Sequence, residues 1–176
     1  MILGMSTATF TLLHVLISLV GIGSGLVVMY GFLNARRLDR WTTVFLATTT
    51  LTSLTGFLFP NEHITPGIVI GILSILVLVI AVTGRYAFHL SGVWRPAYVI
   101  TAAIALYFNV FIFVVQLFEK VPFLRALAPT QKEPPFGIAQ LLVLILFVVA
   151  TVYAVKRFRP GSLVSGSEAV PEKHAA

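Results

Sequence analysis

The residues of this chain best suited to chemistry are its four histidines, His14, His63, His89 and His174, because imidazole titrates near neutrality and ligates metals. A bis-histidine haem needs two facing imidazoles at one depth. His14 falls early in the first apolar run and His89 at the far end of the third, so the two are expected at opposite ends. His63 can approach His14, but no spacing requires it. There is no H-E-x-x-H, no G-x-S-x-G, no P-loop and no carboxylate near His14 in sequence. His14 and Ser18 stand at i,i+4, which permits contact on a helix, yet no third group orients them. The absence of cysteine removes thiolate sites and disulfides. All six acids (Asp39, Glu62, Glu119, Glu133, Glu168 and Glu172) fall in loops, at helix ends or in the tail. Only His14 can then titrate inside the apolar core, which argues against an ion-driven pump. No catalytic residue and no metal site is assigned. No cofactor is predicted, and haem or quinone stands as an alternative.

The elements that must position these residues are apolar. Of 176 residues, 58% are hydrophobic and 10% charged, against about 25% charged in a soluble domain. That excludes a water-soluble globule and a nucleic-acid-binding domain, despite a net charge of +6. Five runs are long enough to cross about 30 Å of hydrocarbon, which takes roughly 20 helical residues. They span residues 8–33, 41–59, 67–88, 97–118 and 137–156. Runs of that length in lipid must be helices, since every backbone polar group needs an internal partner. The expected fold is an all-α integral membrane protein. Residues 1–159 form one five-helix transmembrane domain, and 160–176 a disordered cytoplasmic tail. The first run lacks a basic leader and a small-residue cleavage site, so it reads as a retained span.

Charge sets the expected orientation. Arg36, Arg37, Arg40, Arg85, Arg95, Lys156, Arg157, Arg159 and Lys173 fall on one side, and Lys120, Arg125 and Lys132 on the other. The richer side is cytoplasmic, placing the N-terminus outside and the C-terminus inside. Tyr30, Trp41, Tyr86, Trp94, Tyr98 and Tyr153 gather near the inner interface, as belt residues do.

Read at helical periodicity, each run carries one small or polar stripe. Gly21/Gly25 and Gly67/Gly71 are G-x-x-x-G pairs that suit close helix packing. Thr55, Gln116, Gln140 and Gly71 are expected at the depth of His14 in the outer half, where His14, Thr52, Thr55, Asn109, Gln116 and Gln140 are the candidate ligand-binding residues. His14 is roughly 10 Å deep at about 1.5 Å per residue. The stripes serve either as interhelical glue or as the lining of a ligand- or water-filled cavity. Buried amides and imidazole need partners in either case. The connector 121–136 is proline-rich and expected to be semi-rigid. Within it Pro129, Gln131, Glu133, Pro134 and Pro135 are the candidate partner-docking positions.

Three stretches carry a resemblance: Thr48 to Pro60 (TTTLTSLTGFLFP), Ala105 to Gln116 (ALYFNVFIFVVQ) and Leu127 to Phe136 (LAPTQKEPPF). Together they resemble a family of small multi-pass inner-membrane proteins of proteobacteria with no established activity. The resemblance covers most of the chain outside the tail. It implies a bacterial inner (plasma) membrane location and no catalytic residue. The leading expectation is a non-enzymatic accessory or structural subunit of a membrane complex. Its partners would be membrane lipids and a membrane protein or a second copy of itself, without nucleic acid. The alternatives are a small-molecule site or passive pathway through the polar cavity, and a haem- or quinone-binding redox protein.

Overall fold

The structure, a computed structural model, describes residues 2–60 and 65–159. The expected tail at 160–176 and the histidines His63 and His174 lie outside those residues. Among the described residues six α-helices follow in order: α1 (Thr7–Leu33), α2 (Asp39–Gly56), α3 (Pro66–Val82), α4 (Trp94–Lys120), α5 (Pro122–Leu127) and α6 (Pro134–Arg157). A π-helical turn, Thr83–Ala87, continues α3. Among the described residues there is no strand, only an isolated bridge between Ile2 and Met5. Among the described residues four helices are long and apolar enough to cross a membrane: α1, α3 with its π turn, α4 and α6. The chain is a membrane protein on that ground. Helix α2, 18 residues and rich in threonine, is the most polar of the long helices.

Local chemistry explains the helix ends. Ser6 caps α1 by accepting from the Thr9 amide at 3.1 Å. Thr65 caps α3 by accepting from the Ile68 amide at 3.3 Å, with Pro66 at the first helical position. These side chains serve amides that no preceding turn can reach. Two starts come three residues earlier than the apolar runs suggest: α4 at Trp94 rather than 97, and α6 at Pro134 rather than 137. The reason is the same in both. Pro96, Pro134 and Pro135 sit in a first turn, where proline's missing N–H costs no helical hydrogen bond. The connector 121–136 is likewise not all loop, because Pro122 starts the short helix α5.

Helix α4 is the hub, packing on α1, α2, α3, α5 and α6. Tyr98, Val99, Ala102, Ala103, Ala105 and Leu106 on its first half are almost completely buried. The three alanines let neighbouring helices close in. The hydrophobic core gathers here, with Val28, Phe32, Phe45, Leu78, Phe147 and Phe158. Helix α6 meets the bundle along Gln140, Phe147 and Ala154, a seven-residue spacing that keeps one seam facing its partner. Leu141, Leu142 and Leu146 on the same helix remain exposed, as a lipid-facing surface does.

The core end is also where the cations work. Arg85, buried on the π turn, donates to Asp39 and reaches the Tyr98 hydroxyl at 3.4 Å. Its guanidinium lies 5.5 Å from the Tyr86 ring centre and 5.6 Å from that of Tyr98. Arg95 donates to the carbonyls of Val155 and Phe158 at the end of α6. Arg157 donates to the Leu33 carbonyl at the end of α1, at 3.3 Å. Cations there satisfy terminal carbonyls and oppose the negative end of each helix dipole.

Candidate functional site

Away from the core, the bundle opens. Between α1, α2, α3 and the second half of α4 lies a cavity of about 680 Å³, within the range of small-molecule sites. Its floor is the tight approach of α1, α2 and α4. A Cβ on Gly21 would lie 3.3 Å from both Thr48 Oγ1 and Thr49 Oγ1 and 3.5 Å from Asn109 Nδ2. Asn109 Nδ2 donates to Thr49 Oγ1 at 3.2 Å across that floor. From there the cavity extends to Thr65, the cap of α3, and to Lys120, the last residue of α4. Along α4 the change from closed to open runs from the buried Ala102, Ala103 and Ala105 to Phe108, Ile112 and Phe113, which line the cavity.

Four of the six candidate ligand-binding residues line this cavity: His14, Thr52, Asn109 and Gln116. Thr55 stands behind His14, with its Oγ1 2.8 Å from His14 Nδ1. Gln140 is elsewhere. It faces the α4–α6 seam, where its Nε2 donates to the Phe111 carbonyl at 3.2 Å and its buried Oε1 has no hydrogen-bond partner among the described residues. The helical stripe fixed its face but not which neighbour that face met. Thr52 Oγ1 is also shielded and has no hydrogen-bond partner among the described residues. The His14 ring stands edge-on to Phe59, centre to centre 5.2 Å, and Phe59 packs in turn on Phe10 at 5.1 Å.

Several lining residues were not singled out as ligand contacts from sequence: Thr11, Ser18, Ser53, Gly56 and Lys120. Thr11 and Ser18 share the stripe of His14, and that shared stripe was the available signal. Lys120 gave none, since a lysine ending an apolar run is expected at any interface. Of the four packing glycines, Gly25 is the tightest: a Cβ there would come within 2.5 Å of Leu106 Cδ1 and 2.9 Å of the Phe45 ring. Gly71 meets the Phe57 ring at 3.0 Å, whereas Gly67 meets only Thr65 Oγ1 of its own cap at 3.7 Å and lines the cavity instead.

The connector carries none of the cavity lining. Its Glu133 carboxylate accepts from Thr130 Oγ1 at 2.8 Å and from the Thr130 and Lys132 amides. It thereby closes the turn before α6 rather than capping the helix through its side chain. Slight desolvation works to raise this carboxyl, but those hydrogen bonds together outweigh it and hold it below its ordinary value. Gln131 Nε2 donates to the Val115 carbonyl at 3.4 Å and fastens the turn to α4. Pro129 precedes the turn, and Pro134 and Pro135 are the first residues of α6.

His14 and His89 lie at opposite ends of the bundle. His14 meets the end of α2 at Thr55, while His89 follows the π turn that meets the start of α2 at Asp39. Among the described residues, no three His, Asp or Glu side chains come together as a metal site. A second groove, about 470 Å³ between α4 and α6, is walled by Ile100, Ile104, Leu144 and Val148 and gathers no cluster of polar groups. No family model, curated protein or solved structure matches the chain.

Proposed function

We propose that this chain is a five-span, non-enzymatic protein of the bacterial inner membrane that holds a small amphipathic molecule in the cavity beside His14. The observation that carries the reading is the convergence of His14, Thr52, Asn109 and Gln116 on one cavity of about 680 Å³ with otherwise largely apolar walls. A few polar groups in an apolar cleft are what a ligand site offers. In a membrane such groups are costly unless something satisfies them.

The fifth span is α2. Its 18 residues reach roughly 27 Å at about 1.5 Å per residue. It runs alongside α1, meeting His14 near one end through Thr55 and Gly25 in the middle through Phe45. A helix lying along a spanning partner in this way occupies the same slab of lipid. With five spans, the cluster of Arg36, Arg37, Arg40, Arg95 and Arg157 is cytoplasmic and the cavity opens outward.

Gentle extraction followed by native mass spectrometry tests the proposal. The expected result is a bound small molecule, lost in Gly56→Leu, whose new side chain would enter the cavity. A Cβ at Gly56 has only His14 Cε1 nearby, at 3.8 Å, so the fold should tolerate the change. Recovery of the intact protein without any bound molecule, across several mild detergents, would overturn it.

A second reading, an accessory subunit docking through the connector, is favoured by the fastened turn at Gln131 and Glu133 and by Phe123 on α5, which is 71% exposed. It predicts that a partner or a second copy copurifies and is lost on Phe123→Ser. A haem or quinone in the cavity would rest on His14 as its one imidazole among the described residues, and the visible spectrum of the purified protein tests for haem.

A further inference from the structure

Hydrogen counting around the cavity indicates what kind of polar group the ligand carries, an inference that rests on the ligand-site reading above. A hydroxyl has one hydrogen to give. In the cavity wall three of these, on Thr11, Ser18 and Ser53, are already committed to the backbone, while the Thr52 hydroxyl has no partner among the described residues. Thr11 Oγ1 donates to the Thr7 carbonyl at 2.8 Å, Ser18 Oγ to the His14 carbonyl at 2.8 Å, and Ser53 Oγ to the Thr49 carbonyl at 3.1 Å. What these side chains turn to a ligand is therefore lone pairs.

The same count fixes the histidine. Thr55 Oγ1 donates to the Leu51 carbonyl at 2.7 Å. Its hydrogen is spent, so across the 2.8 Å contact it can only accept, and His14 Nδ1 must carry the proton. In the neutral ring Nε2 is then bare. It makes no hydrogen bond to any described residue, and the edge-on packing against Phe59 fixes the ring's orientation. Among the described residues no acid lines the cavity, and Lys120 stands at its end, so a cation finds no counter-charge there.

We propose that the cavity selects a neutral amphiphile whose polar end is a hydroxyl on an apolar body, a phenol, quinol or alcohol, which donates its hydrogen to His14 Nε2. The apolar body packs against Phe108, Ile112 and Phe113. Directly opposite His14 Nε2, a carbonyl in the hydroxyl's place would set lone pair against lone pair, and the remaining donors of the wall, on Thr52, Asn109 and Gln116, stand elsewhere in it.

A matched pair of probes tests this on the full-length protein in nanodiscs: 4-octylphenol and its methyl ether, 4-octylanisole. The two share size and apolarity, but only the phenol has a hydrogen to donate. The phenol is expected to bind at least about tenfold more tightly, and His14→Phe to abolish that preference. Nitrogen-15 NMR of histidine-labelled wild-type protein supplies a measurement that needs no variant. The expected neutral tautomer carries its proton on Nδ1, and the phenol shifts the Nε2 signal. Equal binding of the two probes, or a proton on Nε2, overturns the donor assignment while leaving the ligand site standing. Binding of neither probe overturns both.

Discussion

Two side-chain pairs illustrate how burial decides the worth of a polar contact. Arg85 is 6% exposed, while the Asp39 carboxylate that faces it lies largely in the open. Removing the acid by Asp39→Ala leaves a buried guanidinium short of its acceptor and should cost about 2 kcal/mol. Replacing the cation by Arg85→Met fills the same space without a charge to satisfy and should be nearly neutral. Unfolding of the two variants in detergent, side by side, measures the asymmetry; equal losses would show that the pair itself, rather than the stranded cation, carries the energy. Thr55→Val removes the acceptor from His14 Nδ1 with little change of volume. A loss of about 1 kcal/mol is expected, in line with membrane hydrogen bonds, together with a mixed tautomer population at His14.

Among the helices, close approach at glycine is graded by what a methyl group would strike. Gly25→Ala would drive Cβ against Leu106 and Phe45 and should cost about 1–3 kcal/mol through overpacking. Gly67→Ala has only Thr65 Oγ1 within reach, and should leave stability unchanged or slightly raised, since it removes a glycine from a helix. The ordering of the two midpoints is the readout. The turn before α6 has a pH dependence of its own. The folded carboxyl of Glu133 lies below its unfolded value. Its stabilisation is therefore complete above the unfolded pKa, near the ordinary glutamate value of about 4.3, and fades as pH falls through the lower folded one. Amide exchange at Thr130 and Lys132 should accelerate only in that acid window, and Glu133→Gln should move the onset.

For the whole molecule, the proposed orientation places the connector 121–136 outside and the turn after α1 in the cytoplasm. The chain has no cysteine, so single introduced thiols report cleanly. Lys132→Cys should react with an impermeant reagent added to whole cells, and Asn34→Cys only after the membrane is opened. The opposite pattern would invert the cavity's access, and labelling of both positions from outside would remove α2 as a span.

The membrane character of the chain was legible in composition alone, because lipid leaves so few ways to satisfy a backbone that long apolar runs must be helices. The polar stripe of α1 was legible too, since His14, Ser18 and Gly21 share a face by helical periodicity. Periodicity assigns a residue to a face, however, and is silent on the neighbour. Gln140 and Gln116 looked equivalent in sequence, yet one turned to the α4–α6 seam and the other to the cavity. Whether a polar face became glue or a wall was set by distances between helices, close where alanines line one end of α4 and wider where Phe108 and Phe113 line the cavity. Such distances depend on residues far apart in the chain, so only the folded bundle decided them.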